Sequence, residues 1–199
     1  MPVCESMKNR HIVGEKVVLV PYRPIHVEKY HQWMSNSDLQ YLTASEPLTL
    51  AEEYEMQTSW VNDVNKCTFI VLDRIKFEES GDEVHAMIGD TNLFLHSDDN
   101  TKAEIEVMIA EVNARRRGSG KEAVQLMLRF AVEVIGLKVF EAKIKVDNIA
   151  SQNMFTKMGF VETNKSDIFQ EISYIFDVND KQTLYELNCC TNHLQYKLL

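Results

Sequence analysis

The chain has 199 residues, with 30 Asp and Glu against 21 Lys and Arg, and a formal net charge of -9. Its length indicates one domain, and 45% hydrophobic residues are enough to build a packed core. The acidic balance argues against a nucleic-acid or anionic-membrane binder, because both kinds of binder need a basic face. Residues 115–121 depart from this balance, with four positive charges, no negative charge and two of the seven glycines. We expect the function to lie there.

Several other classes of protein are disfavoured. The longest apolar runs are about four residues, whereas a membrane span needs ~20. Residues 1–14 lack the apolar stretch of a signal peptide. The four cysteines and six histidines show no zinc-type spacing. The sequence therefore predicts a cytoplasmic protein with reduced cysteines, no metal, and no membrane or nucleic-acid partner.

The first half of the chain mixes strands and helices. Thr49 and Glu52 have the spacing of a capping box, which predicts the start of a helix. The polar stretch 74–83 is predicted to be a long hairpin loop. The predicted elements are a strand over 16–20, a helix over 25–34, a helix over 49–60, and strands over 67–72 and 87–95.

The second half is more regular. Residues 104–109 alternate, which predicts a strand with Ile105, Val107 and Ile109 on one face. After the basic window we predict a buried helix over 121–135, a strand over 140–146, a helix over 149–158, strands over 160–163 and 169–178, and a helical tail over 180–194. This order predicts a mixed α/β fold, with a domain over 16–178 between an extension, 1–15, and a tail, 179–199.

The basic window has the composition of a phosphate site. Glycines at 118 and 120 let backbone N–H groups approach an anion, and a helix start adds partial positive charge. The forked side chains of Arg115, Arg116 and Arg117 can bind phosphate. A solvated basic loop is the alternative.

The basic window fits two nucleotide-binding motifs to different extents. A Walker-type loop fails, because Arg115 and Glu122 occupy its glycine and Ser/Thr positions. The dinucleotide fingerprint matches at 118–123, with Glu141 in the place of the ribose-binding acid. It stays a minor alternative, because the predicted strand continues beyond Glu141.

Two spaced motifs resemble those of the GNAT N-acetyltransferases. The first is Arg115-x-x-Gly118-x-Gly120, and the second is Asn148-x-x-Ser151 followed by Phe155-x-x-Met158-Gly159-Phe160. The resemblance covers residues 16–178 and implies a GNAT fold, whose central, mostly antiparallel sheet splays at the cofactor site and is flanked by helices. It also implies acetyl-CoA as cosubstrate. The implied cofactor-binding residues are Met108, Ile109, Ala110, Arg115, Arg116, Arg117, Gly118, Ser119, Gly120, Lys121, Asn148, Ser151 and Phe155.

Within this family, residues 16–22, 42–50 and 104–111 are similar to the N-acetyltransferase 9-like group. That resemblance implies a protein N-terminal amine as acceptor, with tubulin N-termini as the suggested target. A GNAT scaffold that binds a protein partner without turnover is the alternative.

The chemistry needs a base, an oxyanion donor and a proton for the leaving thiolate. By resemblance, Glu106 or Glu104 acts as base; the alternatives are that both carboxylates are solvated or that they pair with Lys143 or Lys145 across the neighbouring strand. A backbone N–H within 108–110 is the predicted oxyanion donor. Phe155 stands where the family carries the tyrosine that acts as general acid, so either the thiolate leaves unassisted, or water or another tyrosine, such as Tyr174, supplies the proton.

Overall fold

The computed structural model describes residues 10–198. Its strands are β1 (Arg10–Val13), β2 (Val17–Pro21), β3 (Lys66–Asp73), β4 (Met87–Leu95), β5 (Lys102–Ile109), β6 (Val139–Lys145), β7 (Val161–Ser166), β8 (Glu171–Asp177) and β9 (Gln195–Leu198). Its α-helices are α1 (Val27–Met34), α2 (Ser37–Leu42), α3 (Leu50–Asn62), α4 (Arg74–Ser80), α5 (Glu83–Ala86), α6 (Ser119–Phe130), α7 (Ile149–Lys157) and α8 (Lys181–Cys190). None of the helices in this part of the chain is long and apolar enough to cross a membrane.

Within residues 10–198 the strands form one sheet in the order β7-β8-β6-β5-β4-β3-β2-β1-β9. Every neighbouring pair in this order is antiparallel except β5–β6. These two strands pair in parallel only from Lys102–Val139 to Glu104–Glu141, although β5 runs on to Ile109 and β6 to Lys145. The sheet therefore opens between them, which confirms the predicted mixed fold with a splayed, mostly antiparallel sheet.

Each face of the sheet carries its own hydrophobic core. On one face α6 packs over apolar side chains that include Phe69, Ile105 and Phe140. On the other face α1 and α3 cover residues such as Val20 and Ile70. The alternation of β5 explains this division, because Ile105 points into the first core and its neighbours Glu104 and Glu106 point to the opposite face.

The structure corrects several predicted elements. The strand over 16–20 is confirmed as β2, but β1 precedes it and pairs with β9, a strand that the prediction missed. The helical tail predicted over 180–194 is confirmed as α8. The stretch 74–83 contains α4 and the first residue of α5 instead of a loop, because Asp73 and Asp82 cap the two helices and Gly81, at φ 67°, ends the first. The sequence prediction also missed α2, which Asn36 caps.

The cysteines only partly follow the prediction. Cys189 and Cys190 on α8 carry free thiols. Cys67, buried in β3, is disulfide-bonded. The expectation of reduced cysteines is therefore wrong for Cys67.

Candidate active site

The opening between β5 and β6 forms a cleft of about 470 Å³. Apolar side chains from the α6–α7 side of the sheet, such as Val107, Ala142 and Phe155, line one part of it. Charged side chains from the opposite face, including Lys66, Asp90 and Glu106, line the other part. The cleft therefore joins the two faces of the sheet at the place where a hydrogen-bonded strand pair is interrupted.

The basic window forms a tight loop that leads into α6. Arg116 and Gly118 both have left-handed backbone angles, at φ 61° and φ 88°. Left-handed residues in a turn can direct successive backbone N–H groups toward one point, and the start of a helix adds partial positive charge there. A non-glycine residue at positive φ is strained, and such strain concentrates at functional sites. The loop geometry therefore fits the predicted phosphate site.

The three arginines of this loop do not act alike. The guanidinium of Arg115 donates hydrogen bonds to the carbonyl oxygens of Ile109 (2.7 Å) and Ala110 (3.1 Å). Arg115 therefore ties the loop to the end of β5 through Nε and Nη2, and its role in binding phosphate stays a prediction. The side chains of Arg116 and Arg117 are exposed. Lys16, which the sequence prediction missed, supports the loop by donating to the carbonyl oxygen of Arg117 (2.9 Å).

Glycine is required at positions 118 and 120 of the loop for different structural reasons. Gly118 needs its positive φ, and a Cβ there would lie 2.7 Å from Lys16 Nζ. At Gly120 a Cβ would lie 3.3 Å from Ile109 Cγ1 and 3.5 Å from Met154 Sδ. Gly120 is therefore the point where the start of α6 approaches both β5 and α7.

Glu122 anchors the start of α6 to the turn between β1 and β2. Its carboxylate accepts the backbone N–H groups of Glu15 (2.8 Å), Lys16 (2.7 Å) and Val17 (2.9 Å). Glu15, Glu122 and His193 place three possible ligand atoms within 4.8 Å of one another. Because Glu122 is already occupied by the three N–H donors, we assign it a structural role.

Helix α7 lies along the cleft as the second motif predicts. Asn148 caps it by accepting the N–H of Ser151 (3.1 Å), and both residues line the cleft. Phe155 is 2% exposed and packs edge-on against Phe160, with ring centres 4.9 Å apart. Tyr174, the alternative proton donor, is buried in the core on β8 and is not a cleft-lining residue.

The two predicted base candidates differ in their surroundings. Glu104 accepts a hydrogen bond from Lys143 Nζ (2.5 Å), so it forms the cross-strand ion pair that was the alternative interpretation. Glu106 lines the cleft and is exposed to solvent there. Desolvation by the surrounding cleft residues, together with the nearby carboxylates of Glu104 and Asp90, raises the pKa of Glu106 to about 7. Of the pair, Glu106 is the better base, because a catalytic base works best with a pKa near the operating pH.

The end of β5 narrows the choice of oxyanion donor. The N–H groups of Ala110 and Glu111 both donate to the carbonyl oxygen of Ile88 on β4 (2.9 and 3.2 Å). Ala110 is therefore not available as a donor, contrary to one of the three predicted positions. Because successive N–H groups of a strand alternate in direction, that of Ile109 points away from β4 and toward the opening beside β6.

The charged face of the cleft contains residues that the sequence prediction missed. Lys66 is 4% exposed and places Nζ 2.9 Å from the ring centre of Trp60. Burial lowers the pKa of Lys66 to about 8, and burial raises the pKa of Asp90 to about 6. One sequence feature could have predicted this charged face. Asp90 and Asn92 are polar residues spaced two apart in a strand that otherwise has the composition of a buried strand.

The structure argues against the dinucleotide-binding alternative. Glu141 lies inside β6, where it pairs with Glu104 on one side and Ile175 on the other. A ribose-binding acid belongs at the end of its strand. The basic loop therefore lacks the partner that the dinucleotide fingerprint requires.

Comparison with known proteins identifies the family. The profile of the acetyltransferase (GNAT) domain matches residues 16–161. The chain is 52% identical over 171 residues to the alpha/beta-tubulin-N-acetyltransferase 9 of Drosophila melanogaster, covering 83% of this chain and 86% of that protein. It is 47% identical over 194 residues to the Homo sapiens protein of the same name, covering 96% and 93%.

Solved structures agree at the level of fold. A spermidine N-acetyltransferase from Vibrio cholerae in complex with CoA and spermine superposes with a TM-score of 0.69, at 16% identity, over 81% of this chain and 95% of that one. RimL, a ribosomal L7/L12 alpha-N-protein acetyltransferase in complex with coenzyme A, gives a TM-score of 0.68 at 14% identity, over 83% and 96%. The chain is a member of the GNAT family of acetyltransferases.

Proposed function

We propose that this protein transfers the acetyl group of acetyl-CoA to the N-terminal amine of a protein, and that the acceptor is tubulin. The observation that carries the proposal is the cleft where β5 and β6 part, which is lined by carboxylates on one face of the sheet, together with the tight basic loop, with two left-handed residues, that follows β5. The names of the 52% and 47% identical relatives support tubulin as the acceptor. The proposal includes a cytoplasmic location, where tubulin is found.

The residues at the first face fit acetyl-CoA. The backbone N–H groups of residues 116–120 and the exposed cations of Arg116, Arg117 and Lys121 would hold the pyrophosphate. The pantetheine arm would lie between the free edge of β5 and the start of α7, beside Asn148 and Ser151. Acetyl-CoA supplies the activated acetyl group as a thioester.

The residues at the second face would perform the proton chemistry. Glu106 takes a proton from the acceptor ammonium, which leaves the neutral amine that attacks the acetyl carbon. The N–H of Ile109 donates to the oxyanion, a contribution typically worth ~3 kcal/mol. A C–N bond forms and the C–S bond breaks. Because Phe155 has no proton to give, the second proton of the attacking nitrogen passes through water or a cleft hydroxyl such as Ser151 to the leaving thiolate.

The test is an acetylation assay with defined acceptors. We expect mass spectrometry to find acetyl groups on the free N-terminus of a tubulin peptide, and none on the same peptide with a blocked N-terminus and an internal lysine. Glu106→Gln should lower kcat by ~100-fold or more, whereas Glu162→Gln, the same change at an exposed site on β7, should not. Acetylation of lysine alone would contradict the proposed acceptor. Tubulin binding without any turnover would favour the non-catalytic scaffold.

A further inference from the structure

Asp90 is a buried residue on the charged face of the cleft. It lies on β4 opposite Met108 of β5, and its side chain is 2% exposed. Asn92, two residues along β4, lies opposite Glu106. Asp90 and Glu106 are therefore diagonal neighbours on one face, with backbones ~7 Å apart.

A hydrogen-bond chain fixes the orientation of this carboxylate. Thr68 Oγ1 donates to Asn92 Oδ1 (2.6 Å), which places the amide nitrogen of Asn92 toward Asp90. Asn92 Nδ2 then donates to Asp90 Oδ2 (2.7 Å). The other oxygen, Asp90 Oδ1, is buried and has no hydrogen-bond partner within residues 10–198. The hydrogen-bond chain thus holds one carboxylate oxygen and leaves the second one without a described partner, on a residue that lines the cleft.

The nearby cations of the described residues form no ion pair with that oxygen. Lys66 Nζ lies over the ring of Trp60, 2.9 Å from its centre, and 4.2 Å from the ring centre of Phe94. Lys143 is bound to Glu104. Among the described residues, Asp90 takes part in no ion pair within 4.0 Å. Buried polar atoms are nearly always paired, and an unpaired charged oxygen is costly to bury, so the site calls for a donor from outside the described residues.

We infer that Asp90 Oδ1 binds the ammonium group of the acceptor and presents it to Glu106. An ammonium has three N–H donors and a positive charge, both of which complement an unpaired carboxylate oxygen. One N–H would bind Asp90 while Glu106 removes another proton, so the amine stays in place as it becomes neutral. The inference rests on the proposed function and deepens it, because it makes Asp90 the residue that selects a cationic amine.

The test measures binding without turnover. The protein, saturated with coenzyme A, is titrated with a tubulin N-terminal peptide and with its desamino analogue, in which hydrogen replaces the amine. We expect the wild type to bind the free-amine peptide ten- to a hundredfold more tightly, the range of one charge-assisted hydrogen bond. Asp90→Asn should abolish this preference, because it keeps an oxygen for Asn92 and places an N–H donor where Oδ1 was.

Matched controls separate binding from folding. Asp98→Asn makes the same change at an exposed position beyond the end of β4, and it should keep the preference. The coenzyme A-induced rise in melting temperature reports that each variant is folded. If Asp90→Asn does not fold, Asp90→Ser carries the same test, because its hydroxyl can accept from Asn92.

The outcomes distinguish this inference from the tubulin proposal. An equal preference in the wild type and in a folded Asp90 variant overturns the role of Asp90. If neither peptide binds the wild type, tubulin is wrong, and n-butylammonium chloride then replaces the peptide. Weaker binding of n-butylammonium by Asp90→Asn keeps the inference, and equal or absent binding overturns it.

Discussion

Glu122 offers a prediction that does not depend on the acceptor. Its two carboxylate oxygens accept three backbone N–H groups, those of Glu15, Lys16 and Val17, and so join the first turn of α6 to the chain that enters β2. Glu122→Gln keeps the size of the side chain. It removes the charge, and it replaces one accepting oxygen with an NH₂ group that faces a backbone N–H.

The expected loss follows from these three bonds. A hydrogen bond to a charged group contributes ~1 kcal/mol more than a neutral one, and an unsatisfied N–H costs about 1 kcal/mol or more. Glu122 is 7% exposed, so water replaces little of what is lost. We expect Glu122→Gln to lower the free energy of unfolding by about 3 kcal/mol. For a domain of this size that is a fall in melting temperature of ~6–12 °C.

Urea and thermal unfolding, followed by circular dichroism, measure this loss. Glu79→Gln, an exposed position on α4, is the matched control and should change stability by less than ~0.5 kcal/mol. Coenzyme A affinity should fall as well, because Lys16 also holds the loop through the carbonyl oxygen of Arg117. A Glu122→Gln protein within 1 kcal/mol of the wild type would refute the assigned anchor.

Three further predictions concern the cleft and its loop. Because the pKa of Glu106 is raised to about 7, kcat/KM should fall as pH decreases through 7, and a flat profile between pH 5 and 8 would rule Glu106 out as the base. Gly120→Glu should abolish the coenzyme A-induced rise in melting temperature and Gly118→Ala should reduce it; Gly136→Ala, a control with the same positive φ outside the site, should keep it. Burial raises the pKa of Asp90 from 3.8 to about 6, so its protonated form stabilises the fold below pH 3.8 and that stability is lost as pH rises through 6. Urea unfolding should therefore show Asp90→Asn gaining about 2 kcal/mol relative to the wild type between pH 4 and pH 7, and no gain would contradict a buried charge.

The parts of the site that the sequence predicts are those governed by local geometry. The backbone conformation of the loop requires glycine at 118, and the close approach of α6 to β5 requires it at 120. Asn148 caps the helix that follows it directly. Spacing alone therefore predicts the loop, α7 and their order around the cleft. The same holds for β5, whose alternation assigns Glu106 to the face opposite Ile105.

The parts that the sequence does not predict depend on contacts between distant segments. The pairing of β1 with β9 joins the two ends of the described chain, and no local pattern encodes it. Arg115 turns back to β5 because two carbonyl oxygens lie within its reach, which composition cannot show. The neighbours of Asp90 come from β3 and β5, so their meeting is set by strand register.

The pKa shifts of the charged residues in the cleft favour a role in binding over a role in stabilising the fold. Desolvation shifts the pKa of Asp90 and of Glu106 upward and that of Lys66 downward, so in each case it disfavours the charged form. Apolar side chains of similar size would stabilise this position better, as the opposite face of the same strands shows with Phe69 and Ile105. A cationic amine restores the charged state of both acids, because it supplies the donor that the fold leaves out. Asp90 and Glu106 therefore reduce the stability of the fold at the positions where the acceptor would bind.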